Sequence, residues 1–374
     1  MGENGLPRGV PMSLSLASFR TLGRSGLRVS PLCLGTMTFG RDWAMGCEPE
    51  EAFRMMDAYA ERGGNFLDTA NIYTKGHSEA LLGEYFKQRG GRDRWVVATK
   101  FGGNLHTGDP NQGGAGRKSI QQNLEQSLRR LRTDCIDLYW MHFNDPHTPI
   151  DETLRTLDDL VTAGKVRYLG FSDTPAWRCS EAQVIARVRG WHPLIALQIE
   201  YSLIERSVEW DLMPMARAFG LGVTPWAPLK GGLLTGKYAK DKQPAVGEGR
   251  HQPGQSKSLT DRNYAIIAAL EAVAKEADLP MASVAMAWVL NRPGVASPIL
   301  GARTLEQLRA NLSCLEVTLS AEHLRRLDEA SAPAPVFPHG FLPGTASVMQ
   351  GGTEVNGMGS TPWPLAPATD AERW

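Results

Sequence analysis

Short apolar runs alternate along this chain with longer stretches in which apolar residues recur at helical spacing. Several of the runs are continuously apolar, which is typical of strands in a parallel sheet covered on both faces. A strand that is regularly followed by a helix indicates repeated β-α units. Eight runs meet these criteria and are predicted as strands: residues 31–37, 65–68, 95–100, 136–142, 166–172, 194–201, 220–226 and 295–301.

Helical patterns lie between these strands. In one of them Ser119 is the predicted N-cap, and Leu124, Leu128 and Leu131 form the apolar face. Another helix is expected to end at Gly164, because glycine commonly terminates helices. The predicted helices are residues 50–62, 119–131, 150–163, 261–276, 281–290 and 305–312. Eight strands alternating with helices predict an α/β fold, a (β/α)8 TIM barrel.

Three regions are predicted along the chain. Residues 19–30 contain two short alternating runs around Gly23–Gly26, which predict a β-hairpin at the start of the barrel. We therefore expect an N-terminal extension at 1–18, a barrel at 19–331 and a Pro/Gly-rich tail at 332–374. The tail is expected to pack near the active-site face because it carries several large apolar side chains: Phe337, Phe341, Leu342, Trp363 and Trp374.

Two polar segments, 102–116 and 237–257, follow predicted strands and contain many Gly, Asn or Pro residues. In barrel enzymes the loops that follow the strands surround the active site. These two segments are therefore expected to shape a substrate pocket, and their conformations are not readable from the sequence.

The composition argues against several classes of protein. The 374 residues include 40 Lys plus Arg and 40 Asp plus Glu, a balance that predicts neither nucleic acid nor membrane partners. No stretch approaches the about 18 consecutive apolar residues of a membrane span, and no secretion signal is visible. Five widely spaced cysteines without a C-x-x-C pair predict no metal site and a reducing, cytoplasmic environment.

Four residues of complementary chemistry lie at or near the ends of predicted strands. Asp68, Lys100 and His142 close the second, third and fourth strands, and Tyr73 follows Asp68 by five residues. Because the C-terminal ends of barrel strands converge, we expect these four side chains to meet. Each has an ordinary structural interpretation when taken alone, such as a packed tyrosine or a core histidine. Together they predict a catalytic site.

Carbonyl reduction needs a hydride donor and a proton donor for the developing alkoxide. Tyr73 can supply the proton, although an unperturbed phenol has a pKa of about 10. A neighbouring Lys100 cation is expected to lower that pKa, with Asp68 holding Lys100 in place. His142 is expected to donate a hydrogen bond to the carbonyl oxygen and to polarise it.

Further motifs carry a family resemblance. They are G-T-M-x-x-G (35–40), D-T-A-x-x-Y (68–73), Lys100, L-Y-x-x-H (138–142), G-F-S-D (170–173), Q-x-E-Y-S-L (198–203), A-P-L-x-x-G (227–232) and GARTLEQLRAN (301–311). Together they resemble the aldo-keto reductase family over residues 19–311. The resemblance implies a barrel that reduces an aldehyde or ketone to an alcohol with NADPH, with Tyr73 as general acid.

The resemblance also implies how a cofactor is held. Tyr201 is expected to stack on the nicotinamide, while Gln198 and Ser172 bind its carboxamide. Asp173 stands where the family usually has Asn, and a carboxylate accepts hydrogen bonds but cannot donate them as an amide does. Further cofactor contacts are implied for Gly35, Thr36, Met37, Asp68, Ala227, Pro228, Leu229, Gly231, Gly232 and Gly301.

The phosphate end of the cofactor is expected at Gly301–Thr304, where a helix begins. Exposed N–H groups of a helix start bind anions, and Arg303 adds a forked cation. The resemblance identifies this as a 2′-phosphate pocket, which favours NADPH/NADP+ over NADH. Gln307 and Asn311 match adenine-side residues, whereas Ala310 replaces a common Glu.

Other nucleotide motifs are absent from the sequence. Residues 231–237 resemble a P-loop, but Tyr238 replaces its Ser or Thr, and no G-x-G-x-x-G follows the first strand.

Aromatic residues are the candidate walls of a pocket for a small-molecule carbonyl substrate: Trp43, Tyr73, His142 and Trp226. Trp226 has the alternative of packing beneath the cofactor loop. Three other functions stay open: an NADPH-binding regulatory subunit with slow turnover, the reverse alcohol oxidation with NADP+, and a lyase in which Lys100 forms a Schiff base. A homo-oligomer is a further possible partner, and the oligomeric state is not readable from the sequence.

Overall fold

The computed structural model describes residues 14–43, 45–240, 251 and 256–373. Most of the predicted N-terminal extension, most of the predicted loop 237–257 and Trp374 therefore lie outside the described residues.

In the described part of the chain, the first regular element is an antiparallel hairpin of β1 (Arg20–Thr21) and β2 (Arg28–Val29), as predicted. Eight parallel strands follow: β3 (Cys33–Gly35), β4 (Phe66–Asp68), β5 (Val96–Phe101), β6 (Ile136–Met141), β7 (Val166–Ser172), β8 (Leu194–Glu200), β9 (Gly222–Trp226) and β10 (Ile299–Gly301). Their order is β10-β3-β4-β5-β6-β7-β8-β9. A parallel bridge joins Val223 of β9 to Val295, four residues before β10 begins. The (β/α)8 TIM barrel is confirmed.

Helices surround the barrel. They are α1 (Pro49–Glu61), α2 (His77–Arg89), α3 (Arg117–Leu131), α4 (Ile150–Thr162), α5 (Ala176–Arg189), α6 (Leu212–Phe219), α7 (Asp261–Glu276), α8 (Met281–Leu290), α9 (Leu305–Leu312) and α10 (Ala321–Ser331). The predicted N-cap of α3 was wrong. That helix begins two residues earlier with Gly116 as its cap, and Ser119 is buried inside its first turn. Its hydroxyl accepts a hydrogen bond from Asn123 Nδ2 instead (3.1 Å).

The barrel has two layers of core. One lies between the strands and the helices, and the other fills the barrel interior around Phe66 and Trp140. The hairpin contributes Leu22 and Val29 to the interior core, next to Ile195. It therefore covers the N-terminal end of the strands, which leaves catalytic chemistry to the opposite, C-terminal end.

Residues 333–373 form a small unit of their own. It contains a 3-10 turn (Leu342–Thr345), α11 (Ala346–Gln350) and a hairpin of β11 (Glu354–Val355) and β12 (Met358–Gly359). The expected packing of this tail near the active-site face stays a prediction. Within the described ranges, no helix is long and apolar enough to cross a membrane.

Candidate active site

Lys100 lies at the centre of the candidate site and is fully buried in β5. Its Nζ donates hydrogen bonds to Asp68 Oδ2 (2.6 Å), the Thr69 carbonyl oxygen (2.8 Å) and the Tyr73 hydroxyl (3.1 Å). Burial disfavours the cation, but attraction to Asp68 and Tyr73 outweighs that effect and raises the pKa of Lys100. Lys100 is therefore a charged group at neutral pH.

Asp68 is held from both sides. Its Oδ2 accepts from Lys100, and its Oδ1 accepts a hydrogen bond from Gln198 Nε2 at 2.9 Å. Asp68 and Gln198 are each 2% exposed, so neither competes with much water for these bonds. Both carboxylate oxygens are thus used to position Lys100, and Gln198 has a structural partner that the sequence did not indicate.

Tyr73 is placed by a strained turn after β4. Its backbone N–H donates to the Ala70 carbonyl (3.2 Å), and the next residue, Thr74, has a left-handed φ of 46°. Such a conformation costs a β-branched residue on the order of 1–3 kcal/mol. The Thr74 hydroxyl donates to the Phe39 carbonyl (2.8 Å), which helps to hold the turn. The structure therefore fixes where the Tyr73 phenol lies.

The pKa of Tyr73 differs from the sequence-based expectation. Burial raises the pKa of the phenol, and the Lys100 cation lowers it by less, so that the pKa is raised overall. Lys100 acts in the expected direction, with its Nζ 4.6 Å from the centre of the Tyr73 ring. The expected shift toward working pH was wrong because desolvation of the phenolate is the larger effect. Tyr73 therefore keeps its proton at neutral pH.

His142 follows β6, and its backbone N–H donates to the Phe101 carbonyl at 3.1 Å. The imidazole meets the Tyr73 ring edge to face, with ring centres 5.8 Å apart. Burial and the Lys100 charge lower the pKa of His142 to about 2. Within the described part of the chain its Nδ1 is buried and has no hydrogen-bond partner. His142 is thus a neutral imidazole with unused hydrogen-bonding capacity beside Tyr73.

Aromatic rings extend outward from these four residues. Trp43 contacts Tyr73 edge to face at 6.1 Å between ring centres. Its role as a wall of a substrate pocket stays a prediction. Phe143 stacks on His142 with ring centres 4.0 Å apart and is 47% exposed. Phe143 was missed from the sequence because the residue that follows a predicted catalytic histidine carries no signal of its own.

Ser172 and Asp173 lie at the end of β7, next to the site. Ser172 is 1% exposed, whereas Asp173 is exposed and adopts a left-handed φ of 44°. Its Oδ1 accepts a hydrogen bond from the indole N–H of Trp226 at 2.9 Å. Partial desolvation of the carboxylate raises the pKa of Asp173, although the hydrogen bond from Trp226 and the Lys100 charge lower it. The Asp that replaces the family's Asn is therefore paired with the last residue of β9.

Tyr201 is not available as the expected platform for a nicotinamide ring. It is 1% exposed, its hydroxyl donates to Glu209 Oε1 (2.6 Å), and its ring packs against Trp288 at 5.6 Å. Because Glu209 is itself paired with Arg206, the ring is held away from solvent. The stacking role expected for Tyr201 was wrong. Trp226 is the partly exposed aromatic residue at the neighbouring strand end.

Residues 35–37 lie mostly beneath the surface of the site and hold its neighbouring elements in place. Gly35 and Thr36 are buried, and Met37 is partly exposed. The Thr36 hydroxyl lies between the Asp68 carbonyl (3.1 Å) and the Ser78 hydroxyl (2.8 Å). A Cβ at Gly35 would lie only 2.6 Å from the Ile299 side chain, which explains glycine there. Of these three predicted cofactor contacts, Met37 is the one whose side chain is presented to solvent.

Asn71 links the Tyr73 turn to the predicted loop 102–116. Its Nδ2 donates to the Gly103 carbonyl (2.7 Å) and to Asn123 Oδ1 (2.5 Å). Asn123 in turn donates to the Gln112 carbonyl at 3.0 Å. Asn71 therefore fixes the loop to the element that carries Tyr73. The motif D-T-A-x-x-Y gave no sign of this role, because Asn71 occupies one of its variable positions.

A glycine-rich turn follows β9. It contains a 3-10 segment (Lys230–Thr235) in which Gly231 and Gly232 have φ values of 62° and 95°. Ala227 also has a positive φ, of 48°, and Pro228 is buried beneath the turn while Leu229 is partly exposed. Side chains larger than glycine are strained at such φ values, so the turn brings backbone rather than side chains to its surface.

The predicted phosphate end lies between β10 and α9. Arg303 is exposed and forms no ion pair within the described ranges. Its backbone N–H donates to Gln307 Oε1 (2.9 Å), and Asn311 Nδ2 donates to the Gly301 carbonyl (3.2 Å). Gln307 and Asn311 thus support the start of α9. Arg303 is the cation of this segment that is left for an anion.

Comparison with known proteins agrees with this geometry. The model of the aldo/keto reductase family matches residues 31–332, which is most of the chain. The chain belongs to the aldo/keto reductase family. All four residues of the predicted catalytic set lie inside the matched range.

Three aldo/keto reductase relatives illustrate the similarity. An aryl-alcohol dehydrogenase of Pestalotiopsis microspora is 37% identical over 94% of this chain and 91% of its own. A norsolorinic acid reductase of Aspergillus flavus is 36% identical over 85% of this chain and 82% of its own. An NADP(+) aryl-alcohol dehydrogenase of Phanerodontia chrysosporium is 37% identical over 84% of this chain and 86% of its own. This aldo/keto reductase is therefore an oxidoreductase similar to aryl-alcohol dehydrogenases and to a norsolorinic acid reductase.

Proposed function

We propose that this chain reduces an aromatic aldehyde or ketone to the alcohol, using NADPH. The observation that carries the proposal is the buried Lys100 cation, which contacts both the Asp68 carboxylate and the Tyr73 hydroxyl. No residue of that group can donate a hydride. A reduced nicotinamide dinucleotide supplies the hydride when bound.

Tyr73 is the proton donor in this proposal. Its raised pKa keeps the phenol protonated before the reaction. As the carbonyl oxygen gains charge, the phenol proton moves to that oxygen and the phenolate remains on Tyr73. The Lys100 ammonium, 3.1 Å away, stabilises the phenolate, and Asp68 keeps the ammonium in position.

His142 binds the same carbonyl oxygen. A neutral imidazole carries one N–H, which can donate to an oxygen that becomes more negative during the reaction. Because the pKa of His142 is about 2, the imidazole stays neutral and does not compete with Tyr73 as the acid. The two residues thus divide the work: Tyr73 transfers a proton, and His142 polarises the carbonyl.

Several residues are suited to hold the dinucleotide. Asp173 follows β7 and Trp226 ends β9, on either side of β8, and the two side chains are hydrogen-bonded to each other. An aromatic face and a carboxylate suit a nicotinamide and its carboxamide N–H2 group. The turn around Gly231 and Gly232 offers backbone to a pyrophosphate. Arg303 offers its guanidinium to a 2′-phosphate, which is the reason to propose NADPH over NADH.

The aromatic substrate class follows from the pocket walls. Trp43 and the exposed Phe143 flank the Tyr73–His142 pair, so a planar ring can pack beside the reacting carbonyl. Relatives whose names refer to aryl alcohols and norsolorinic acid support this choice.

The alternatives account for the site less well. A Schiff base requires a neutral amine, whereas the pKa of Lys100 is raised and its three donor positions are used. Alcohol oxidation with NADP+ uses the same residues in reverse. A regulatory subunit with slow turnover would bind the cofactor similarly and is separated from an enzyme by its rate.

The test compares benzaldehyde with cyclohexanecarboxaldehyde, which has a saturated ring of similar size, by following NADPH absorbance. We expect multiple turnovers and a higher kcat/KM for benzaldehyde. The Phe143→Ala variant should lose most of that difference while an aliphatic aldehyde is reduced as before. A single turnover that stalls with every carbonyl would favour the regulatory alternative, and equal kcat/KM for both aldehydes would contradict the aromatic class.

A further inference from the structure

Glu51 occupies the helix start at which a 2′-phosphate is expected. Its Oε1 accepts a hydrogen bond from the backbone N–H of Leu305, the first residue of α9, at 2.6 Å. The two residues are 254 positions apart in the chain, so this is a tertiary contact between α1 and α9. The Glu51 side chain is 16% exposed and also pairs with Arg54. A carboxylate of this chain therefore holds an N–H group that an anionic ligand would otherwise use.

The surrounding cavity carries charges of both signs. It has a volume of about 570 Å³ and includes Arg303 together with Arg41, Arg54, Glu48 and Glu51 in its lining. Arg41 is paired with Glu48 at 2.6 Å, and Arg54 with Glu51. In the described part of the chain, Arg303 is the arginine of this cavity that has no acidic partner. Attraction of a phosphate by Arg303 is thus opposed by the nearby Glu51 carboxylate.

We propose that Glu51 sets the choice between NADPH and NADH, by opposing the 2′-phosphate and accepting a hydrogen bond from a 2′-hydroxyl. The inference rests on the proposed function, because it assigns the adenosine end of the dinucleotide to this cavity. A phosphate monoester carries a charge of about −1.5 to −2 at pH 7, which a neighbouring carboxylate repels. A ribose hydroxyl is neutral and donates a hydrogen bond that a carboxylate can accept.

The balance between Arg303 and Glu51 then determines the preference. Arg303 favours the phosphate through a charge-assisted contact, and Glu51 reduces that advantage. For the phosphate to reach the Leu305 N–H, the Glu51 carboxylate must turn away, and its ion pair with Arg54 gives it a second partner. The wild-type chain is therefore expected to use both dinucleotides, with NADPH preferred by less than Arg303 alone would produce.

Glu51→Gln is the informative variant. The amide oxygen can still accept from the Leu305 N–H, so the start of α9 keeps its hydrogen bond while the negative charge is removed. Glu50→Gln is the matched control. Glu50 directly precedes Glu51 in the sequence and lines the same cavity, but its side chain is exposed. Dissociation constants for NADPH and NADH are measured by fluorescence titration of both variants and the wild type at low ionic strength.

We expect Glu51→Gln to lower the dissociation constant for NADPH by about tenfold, which corresponds to about 1.4 kcal/mol of binding free energy. NADH should bind unchanged or more weakly. Glu50→Gln should change the ratio of NADPH affinity to NADH affinity by less than about threefold, because the exposed Glu50 charge acts through water of high dielectric constant. Arg303→Ala should lower the ratio of NADPH affinity to NADH affinity. An unchanged ratio in Glu51→Gln, or weaker NADPH binding, would overturn the inference.

The same titrations separate this inference from the proposed function. If both dinucleotides bind and the ratio responds to Glu51→Gln, but no carbonyl is reduced, the inference holds and the proposed reaction fails. If carbonyls are reduced and the ratio does not respond, only the role of Glu51 fails. A wild type that binds neither dinucleotide contradicts both.

Discussion

Replacement of Lys100 by Met tests whether the buried ion pair organises the site. The change removes the cation and leaves the Asp68 carboxylate, 2% exposed, with Gln198 as its remaining side-chain donor within the described chain. Removing one partner of a buried ion pair costs about 3–5 kcal/mol, because the other charge is left without compensation. That is a large part of the about 5–15 kcal/mol that stabilises an ordinary domain. We therefore expect a strongly lowered free energy of unfolding.

The assay is urea unfolding followed by tryptophan fluorescence. With a slope of about 3 kcal/mol per M, the expected loss moves the midpoint by about 1 M or more. Lys165→Met is the control, since Lys165 and Glu125 form a pair in which both side chains are more than 40% exposed. Such exposed pairs contribute about 0.2–1 kcal/mol. Asp68→Asn in the Lys100→Met background should restore much of the stability, because the uncompensated charge is gone.

Two unfolding results would contradict a stabilising role for the buried Lys100–Asp68 pair. If Lys100→Met unfolds at the same urea concentration as Lys165→Met, the buried pair does not carry the stability assigned to it. If the second substitution, Asp68→Asn, gives no recovery, the cost does not arise from an unpaired Asp68 carboxylate.

Two further predictions concern pH and the loop at 102–116. The kcat/KM for carbonyl reduction should not change through neutral pH, because the pKa of His142 is about 2 and that of Tyr73 is raised, so that neither group changes charge there. A decrease in kcat/KM is expected only above about pH 10. A change near pH 6.5 that disappears in His142→Gln would contradict a neutral imidazole. Asn71→Ala should leave the Gly103 carbonyl and Asn123 Oδ1 without their donor, at a cost of about 1–3 kcal/mol. Limited proteolysis should then cut within 102–116 faster than in the wild type, and an unchanged rate would show that Asn71 does not anchor the loop.

Much of the fold could be predicted because burial on both faces leaves a direct mark on the sequence. The runs 95–98 and 138–141 are continuously apolar, and the strands predicted around them, 95–100 and 136–142, lie within one residue of the observed β5 and β6. Helix α2 left no such mark. Its buried face includes Ser78 and Glu79, whose partners on other elements satisfy them, so the apolar spacing of a helix is missing.

The catalytic side chains could be placed because strand ends converge in a barrel, a property of topology rather than of local sequence. Lys100 and Asp68 meet for this reason. The orientation of a ring is different, since it depends on partners elsewhere in the chain. Tyr201 was expected to face a cofactor, but its hydroxyl donates a hydrogen bond to Glu209 and its ring packs against Trp288. The contact between Glu51 and Leu305 was equally beyond reach, because no sequence pattern joins residues so far apart.

The balance of forces on Tyr73 was also not readable from the sequence. The neighbouring Lys100 was foreseen, but the extent of burial was not, and burial decides the sign of the pKa shift. A predicted constellation of residues therefore indicates which interactions exist. Their relative size requires the packed structure.

The most direct test of the central claim is the Tyr73→Phe variant, measured for benzaldehyde reduction and for NADPH binding. The substitution keeps the ring that packs against Trp43 and His142 and removes only the hydroxyl that Lys100 contacts. Loss of a positioned general acid lowers rates by about 10²–10⁴-fold, and we expect a decrease in kcat of that size with an unchanged dissociation constant for NADPH. A variant that turns over at nearly the wild-type rate would contradict the assignment of Tyr73 as the proton donor.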